Sequence, residues 1–314
     1  MYGKYFVLFA ILFTGWFLRK INFIVDKMNH SMNKLIVYFA YPCLIVHNIG
    51  NVDMTGRLVL DFLIGFGISL ACFFIYGAIT FGYAKARKFP SDCSNVAEFA
   101  MATPNNGFMG FPVSLIFFGE KGLFLMLAHN AAMNFFIFTY GTNLLNRNNP
   151  ERRKPTIRNV IRATFKFLLN PNILALFIGF ALSLLGGILP EAVDEYLLYI
   201  GNVSTPMAMI FIGSSLATAD LRKVFTTKLV IEASIVKLLV LPLVTIGLVY
   251  FLPVAPLIKS IVVLGIAFPT AATVSMLAEQ ENQSALTASQ ILVLSTIASI
   301  VTVPASVNLI NLLF

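Results

Sequence analysis

The chain has 314 residues, 58% of them hydrophobic and only 11% charged, with a mean hydropathy of +0.84. A soluble domain carries about 25% charge, so these proportions exclude one and predict a polytopic membrane protein. The formal charge of +8 does not call for a nucleic-acid partner, because basic loops in a membrane chain record orientation.

A spanning helix takes about 20 apolar residues. Ten such segments follow one another: 2–18, 32–50, 58–83, 93–118, 122–145, 171–188, 195–217, 229–251, 257–278 and 285–313. Their length and the lack of strand-like alternation make all of them helical. The first lacks a small-residue cleavage site before Arg19-Lys20 and stands as a span, not a leader. Cys43, Cys72 and Cys93 show no metal-site spacing, and disulfides are not expected.

Basic residues collect in alternate loops. Arg19, Lys20, Lys27 and Lys34 lie in the first, Lys85, Arg87 and Lys88 in the third, and Arg222, Lys223 and Lys228 in the seventh. The fifth holds Arg147, Arg152, Arg153, Lys154, Arg158, Arg162 and Lys166. The other side keeps Lys4, Arg57, Lys121 and Lys259. The positive-inside rule therefore predicts a multi-pass protein of the cell membrane with both termini outside and loop five cytoplasmic.

Loop five divides the chain into residues 1–146, a basic linker at 147–169, and residues 170–314. Within the linker, Thr156 to Leu169 alternates apolar and basic residues as an amphipathic helix on the inner lipid surface would. The flanking parts look like copies. Pro42 and Pro206 are 164 apart, as are Gly15 and Gly179, and Pro104 and Pro269 are 165 apart. Each part holds an odd number of spans, so the copies would lie oppositely in the membrane, as an inverted repeat of five helices each.

The fourth span carries Thr103-Pro104-Asn105-Asn106-Gly107 in its middle, and the ninth carries Phe268-Pro269-Thr270. Proline lacks an amide hydrogen and clashes with the preceding turn, glycine favours loops, and asparagine competes for backbone partners. Both helices should break and restart there. At membrane depth a break survives only where the freed backbone is buried in protein or lines a cavity.

The restarted pieces present N-termini, each with about half a positive charge. Each end gives an anion roughly 1.5–2 kcal/mol at an effective dielectric near 20. Desolvating a carboxylate costs several kcal/mol, so side-chain donors must supply the balance. Asn105, Asn106 and Thr270 are placed for that, as are Asn130 and Asn134, four apart on one face of span five. Ser295 and Thr296 read rather as back-bonded within span ten. The expected substrate site is Pro104, Asn105, Asn106, Gly107, Asn130, Asn134, Pro269 and Thr270, and the expected substrate a small organic anion. No arginine lies in a span, so a guanidinium fork for a doubly charged guest is not encoded.

Glu98 and Lys237 are ionisable residues at depth, candidates for coupling or for a charge pair. Glu98 lies about 9 Å before the first break along a helix and could relay a proton, hold a cation or face the inner water layer. Lys237 would pair with Glu98 or Glu232. His129 is expected to be hydrogen-bonded, and His47 and Asn48 to cap span two. No cofactor or metal is predicted, while a coupling ion, proton or sodium, stays open. His30, His47 and His129 share no ligand spacing, and no phosphate loop or Ser/His/Asp set occurs, so an enzyme is not predicted.

Several pieces resemble the auxin efflux carrier family of membrane transporters. They are Asn106-Gly107-Phe108-Met109-Gly110-Phe111-Pro112, Asn170-Pro171, Thr205-Pro206, Gly213-Ser214-Ser215-Leu216, Lys237 through Pro242, Pro269-Thr270-Ala271, Ser295-Thr296 and Thr302-Val303-Pro304. The resemblance covers essentially the whole chain. It implies an all-α fold of ten transmembrane helices in two inverted five-helix repeats, with broken helices four and nine crossing at the substrate site. The fold is related to that of bile acid:sodium symporters. It implies elevator-like alternating access, with spans 3–5 and 8–10 moving against spans 1, 2, 6 and 7, and a homodimer among membrane lipids. The short loop five is similar to that of compact microbial members, often assigned malate or malonate. The alternatives are a sodium-coupled carrier of the bile-acid-symporter kind and a ligand sensor with a carrier fold that does not transport.

Overall fold

The computed structural model describes residues 2–52, 54–147, 168–186 and 189–314. Among them the regular structure is helical and no strand forms. Five stretches are long and apolar enough to cross a membrane: Gly56–Ala86, Asn106–Leu145, Glu191–Leu216, Lys228–Tyr250 and Ala285–Leu313. Pro171–Leu184 and Pro256–Ala267 are shorter apolar helices. Leu63 and Val301 on such helices are 60% and 72% exposed. In water that surface would aggregate, whereas in a bilayer it faces acyl chains. The amphipathic segment expected at 156–169 lies, but for its last two residues, outside the described residues.

The longest stretch is two pieces. Gly119 sits at φ +65° and ψ −162°, inside the helix Phe111–Phe136. A left-handed φ suits glycine and interrupts the helix, here between the segments expected as spans four and five.

Prolines shape the helices in a second way. Three π-helical turns, Ile36–Ala40, Asn106–Gly110 and Val236–Val240, each run into an X-Pro pair: Tyr41-Pro42, Phe111-Pro112 and Leu241-Pro242. A proline ring collides with the carbonyl four residues back. Widening the preceding turn moves that carbonyl aside. Tyr41 N–H accordingly reaches back five residues to the Ile36 carbonyl, and Leu241 N–H to that of Val236.

The chain forms two compact units that interleave along the sequence. The first comprises the described residues of Met1–Phe62, Phe111–Leu127 and Phe165–Thr218. Small residues hold it together. Gly15 faces the Ile210 backbone and Gly213 faces the Leu12 backbone, so Tyr2–Lys20 and Glu191–Leu216 approach main chain to main chain. Close approach of this kind gives van der Waals packing where no hydrophobic drive exists between helices. Residues 111–127, parts of the segments expected as spans four and five, join this unit. Aromatic side chains account for it: Phe111 packs on Tyr41, Phe117 on Tyr5 and Phe124 on Phe62.

The second unit comprises the described residues of Leu63–Gly110, Ala128–Thr164 and Ala219–Phe314. It contains both expected breaks. Its helices named below are α1 (Ser91–Ala102), α2 (Pro256–Ala267), α3 (Ala272–Gln280) and α4 (Ala285–Leu313).

Candidate functional site

Both breaks form by the same rule. A residue before proline is pushed out of the α region. Thr103, before Pro104, takes φ −109° and ψ 105°, and α1 ends at Ala102. Phe268, before Pro269, takes φ −68° and ψ 152°, and α2 ends at Ala267.

The two extended segments then pair with each other, Pro104 opposite Thr270 in an antiparallel bridge. Asn105 N–H donates to the Pro269 carbonyl at 2.7 Å, and Ala271 N–H donates to the Thr103 carbonyl at 3.0 Å. Broken backbone in hydrocarbon costs several kcal/mol per unsatisfied group, and each break supplies the other's partners. Thr270 braces the crossing. Its hydroxyl donates to the Ala100 carbonyl at 2.9 Å, and its N–H donates to Ser295 Oγ at 3.1 Å. Ser295 Oγ in turn donates to the Leu292 carbonyl, and Thr296 to the same oxygen, the back-bonding expected of this pair.

Thr270 therefore differs from its expected part. A hydroxyl has one hydrogen, and this one is held by Ala100, so it is not free to donate to an anion.

The helix after the first break restarts on Asn105. Its Oδ1 accepts from Phe108 N–H at 3.3 Å, in the manner of an N-cap. Its Nδ2 is buried without a partner, as are Asn106 Oδ1 and Thr103 Oγ1. Asn106 Nδ2 reaches only Met133 Sδ, at 3.5 Å, a weak acceptor. Leaving a buried polar atom unpaired costs about 1–3 kcal/mol, and three lie within four residues. Open space lies at the next residue. A Cβ built on Gly107 would meet nothing within 4 Å.

Asn130 and Asn134 flank Met133 on the helix that Asn106 touches, Asn130 buried and Asn134 half-buried. Pro104, Asn105, Asn106, Pro269 and Thr270 thus meet at the crossing, with Gly107 on its next turn, and the Asn130 and Asn134 face lies one residue away through Met133. Thr103 and Met133 were not singled out from the sequence. Only the position of Thr103 before a proline hints that its side chain leaves the helix.

His129 is hydrogen-bonded as expected, while the other ionisable residues fall differently from expectation. Lys237 is fully buried, and among the described residues it pairs with no carboxylate. Its Nζ donates to the Ile266 carbonyl at 3.2 Å, at the end of α2. The correction has a physical basis, since a helix C-terminus offers free carbonyls and about half a negative charge. Glu232 is engaged by Arg87 Nε at 2.9 Å. Glu98 is buried rather than turned to water, paired with Arg147 and accepting from Ser94 Oγ. His129 Nδ1 meets Ser69 Oγ at 2.9 Å. In the first unit His47 does more than cap its helix: its Nδ1 lies 2.7 Å from Asp194 Oδ1.

A family model described as membrane transport protein matches residues 1–307. The chain belongs to this family of membrane transporters, the one that contains the auxin efflux carriers. It is 25% identical over 296 residues to an uncharacterized transporter of Methanothermobacter thermautotrophicus, covering 94% of this chain and 93% of the relative. It is 24% identical to an uncharacterized transporter of Methanocaldococcus jannaschii, covering 84% of each. A protein of Rhizobium meliloti provisionally named a malonate transporter is 23% identical, with 96% of this chain and 93% of the relative aligned. The protein is thus a membrane transporter rather than an enzyme.

Proposed function

We propose that this transporter moves a small organic anion, a carboxylate, by elevator-like alternating access. One observation carries the reading: three buried, partnerless polar atoms, Thr103 Oγ1, Asn105 Nδ2 and Asn106 Oδ1, at the crossing of two broken helices. Thr103 and Asn105 offer hydrogen-bond donors, and rotation of the Asn106 amide exchanges its oxygen with its N–H group. A carboxylate accepts such bonds, each charge-assisted at about 1.5–3 kcal/mol. Asn130 and Asn134 add polar groups from the adjoining helix face, Pro104, Pro269 and Thr270 hold the crossing, and Gly107 leaves room. The relative named for malonate is consistent with a carboxylate guest.

The architecture that goes with this reading has ten spans in two inverted repeats. The 165-residue spacing of Pro104 and Pro269 supports it, as does their like backbone geometry. Basic residues in alternate loops support both termini outside, and the family resemblance supports a homodimer in the cell membrane.

The test is a thermal-shift screen of purified protein against monocarboxylates, dicarboxylates and aromatic acids, followed by flux in proteoliposomes. With the best ligand, Asn106→Ala should lose about 10–150-fold in affinity, the equivalent of one charge-assisted hydrogen bond. Near-normal affinity and flux in that variant would remove Asn106 from the site.

A further inference from the structure

The carbonyl end of α2 is the other pole of the second break. Ala267, Phe268 and Pro269 follow Ile266 directly, and the Pro269 carbonyl is already held by Asn105. In broken-helix carriers, such half-helix C-termini and unwound carbonyls are where a coupling cation binds. Here a lysine stands there instead. Lys237 lies on the π turn Val236–Val240 that Pro242 imposes, which packs against α1, α2 and α4. The side chain is fully buried and its Nζ donates to the Ile266 carbonyl.

Nothing else on those helices competes for it. On α1, Glu98 belongs to Arg147, and Asp92 lies at the opposite end of the helix, in its first turn. On α2, Lys259 donates to the Tyr250 carbonyl, and α4 has no charged residue. The His129 ring packs against Gly265, the residue before Ile266.

We propose that Lys237 is a resident cation: its ammonium fills the carbonyl end of the broken helix, the place a coupling sodium would take, and so frees the carrier from sodium. This deepens the reading above and rests on it for the word carrier, but the cation site itself can be tested without any organic anion. A lysine tethered to the backbone stays at the helix end, where a diffusible ion would have to bind and leave. Lys237 is a positioning residue in this scheme, holding the α2 end, and through it the Pro269 carbonyl that Asn105 uses.

The experiment is thermal unfolding in nanodiscs with sodium, potassium or choline chloride at equal ionic strength and no organic anion. Wild type should unfold at one temperature in all three salts. Lys237→Gln, which removes the charge and adds an oxygen, should gain a sodium-specific rise of about 2–4 °C. A general loss of packing would not distinguish sodium from potassium. Lys237→Ala, which leaves room for a hydrated ion, is the second variant should Gln not fold. A sodium-specific rise in wild type overturns the proposal, as does a folded variant that treats the three salts alike. If neither variant folds, the lysine is a structural strut and the proposal falls. A sodium-inert wild type with a sodium-responsive variant, in a protein that binds no carboxylate, would sink the substrate reading alone.

Discussion

The two breaks are alike in cause and unlike in use. Each begins with a residue forced extended before a proline, and each gives one backbone N–H and one carbonyl to the bridge. After Pro269 the polar groups are satisfied within the unit: Thr270 is bonded through both hydroxyl and amide, and Lys237 covers the carbonyl end before it. Around Pro104, three side-chain atoms are buried with no partner. A protein satisfies nearly all of its buried polar groups, so the second break reads as the clamp and the first as the receptor. Substitutions at the receptor should then change binding and leave stability intact, while substitutions at the clamp should change stability.

A large expected effect on binding comes from closing the space. Gly107 is free of positive φ, and an added Cβ meets nothing within 4 Å. A side chain is therefore conformationally allowed there, at the residue that follows Asn106. Gly107→Leu should keep its unfolding temperature and lose more than about tenfold in affinity, at least 1.4 kcal/mol, by isothermal titration with the screened carboxylate. Full affinity in Gly107→Leu would move the guest away from the first break.

The clamp is tested by Thr270→Val, which keeps the shape and removes the hydroxyl. It strands the Ala100 carbonyl in a buried site, a loss of about 1–3 kcal/mol. Unfolding should fall by about 2–4 °C for each kcal/mol, read by scanning fluorimetry in detergent. An unchanged unfolding temperature would deny the clamp its role and with it the division between the breaks.

Much of this was legible in the sequence, for a local reason. Proline, its predecessor and the residues after it act within one turn, so Pro104 and Pro269 announce both breaks, and their spacing from the chain halves announces that they are partners. What was illegible depends on contacts that sequence does not mark. A lysine's carboxylate partner can be sought by residue type, but Ile266 offers Lys237 a carbonyl, which every residue has. Glu98 and Arg147 meet across 49 positions, through folding alone. Thr270 and Asn105 look equally fit to be donors, and only the placed Ala100 carbonyl separates clamp from ligand. The Gly213 contact with Leu12 likewise appears only when two helices are side by side.

The finest test uses the atom that the sequence did not flag. Thr103 is fully buried and its hydroxyl has no partner, although its carbonyl holds the bridge through Ala271. Thr103→Val preserves the carbonyl and the β-branched shape that suits an extended backbone. Because replacing an unpaired polar atom by an apolar one relieves its burial, the variant should be as stable as wild type or up to about 1–3 kcal/mol more so. Binding should weaken by the worth of one hydrogen bond to a charged guest, about 1.5–3 kcal/mol. A gain in stability joined to a loss in affinity is the signature of a group kept for a ligand, since a packing role would lose both. If Thr103→Val binds the carboxylate as wild type does, the hydroxyl is no donor to it, and the receptor shrinks to the two asparagines.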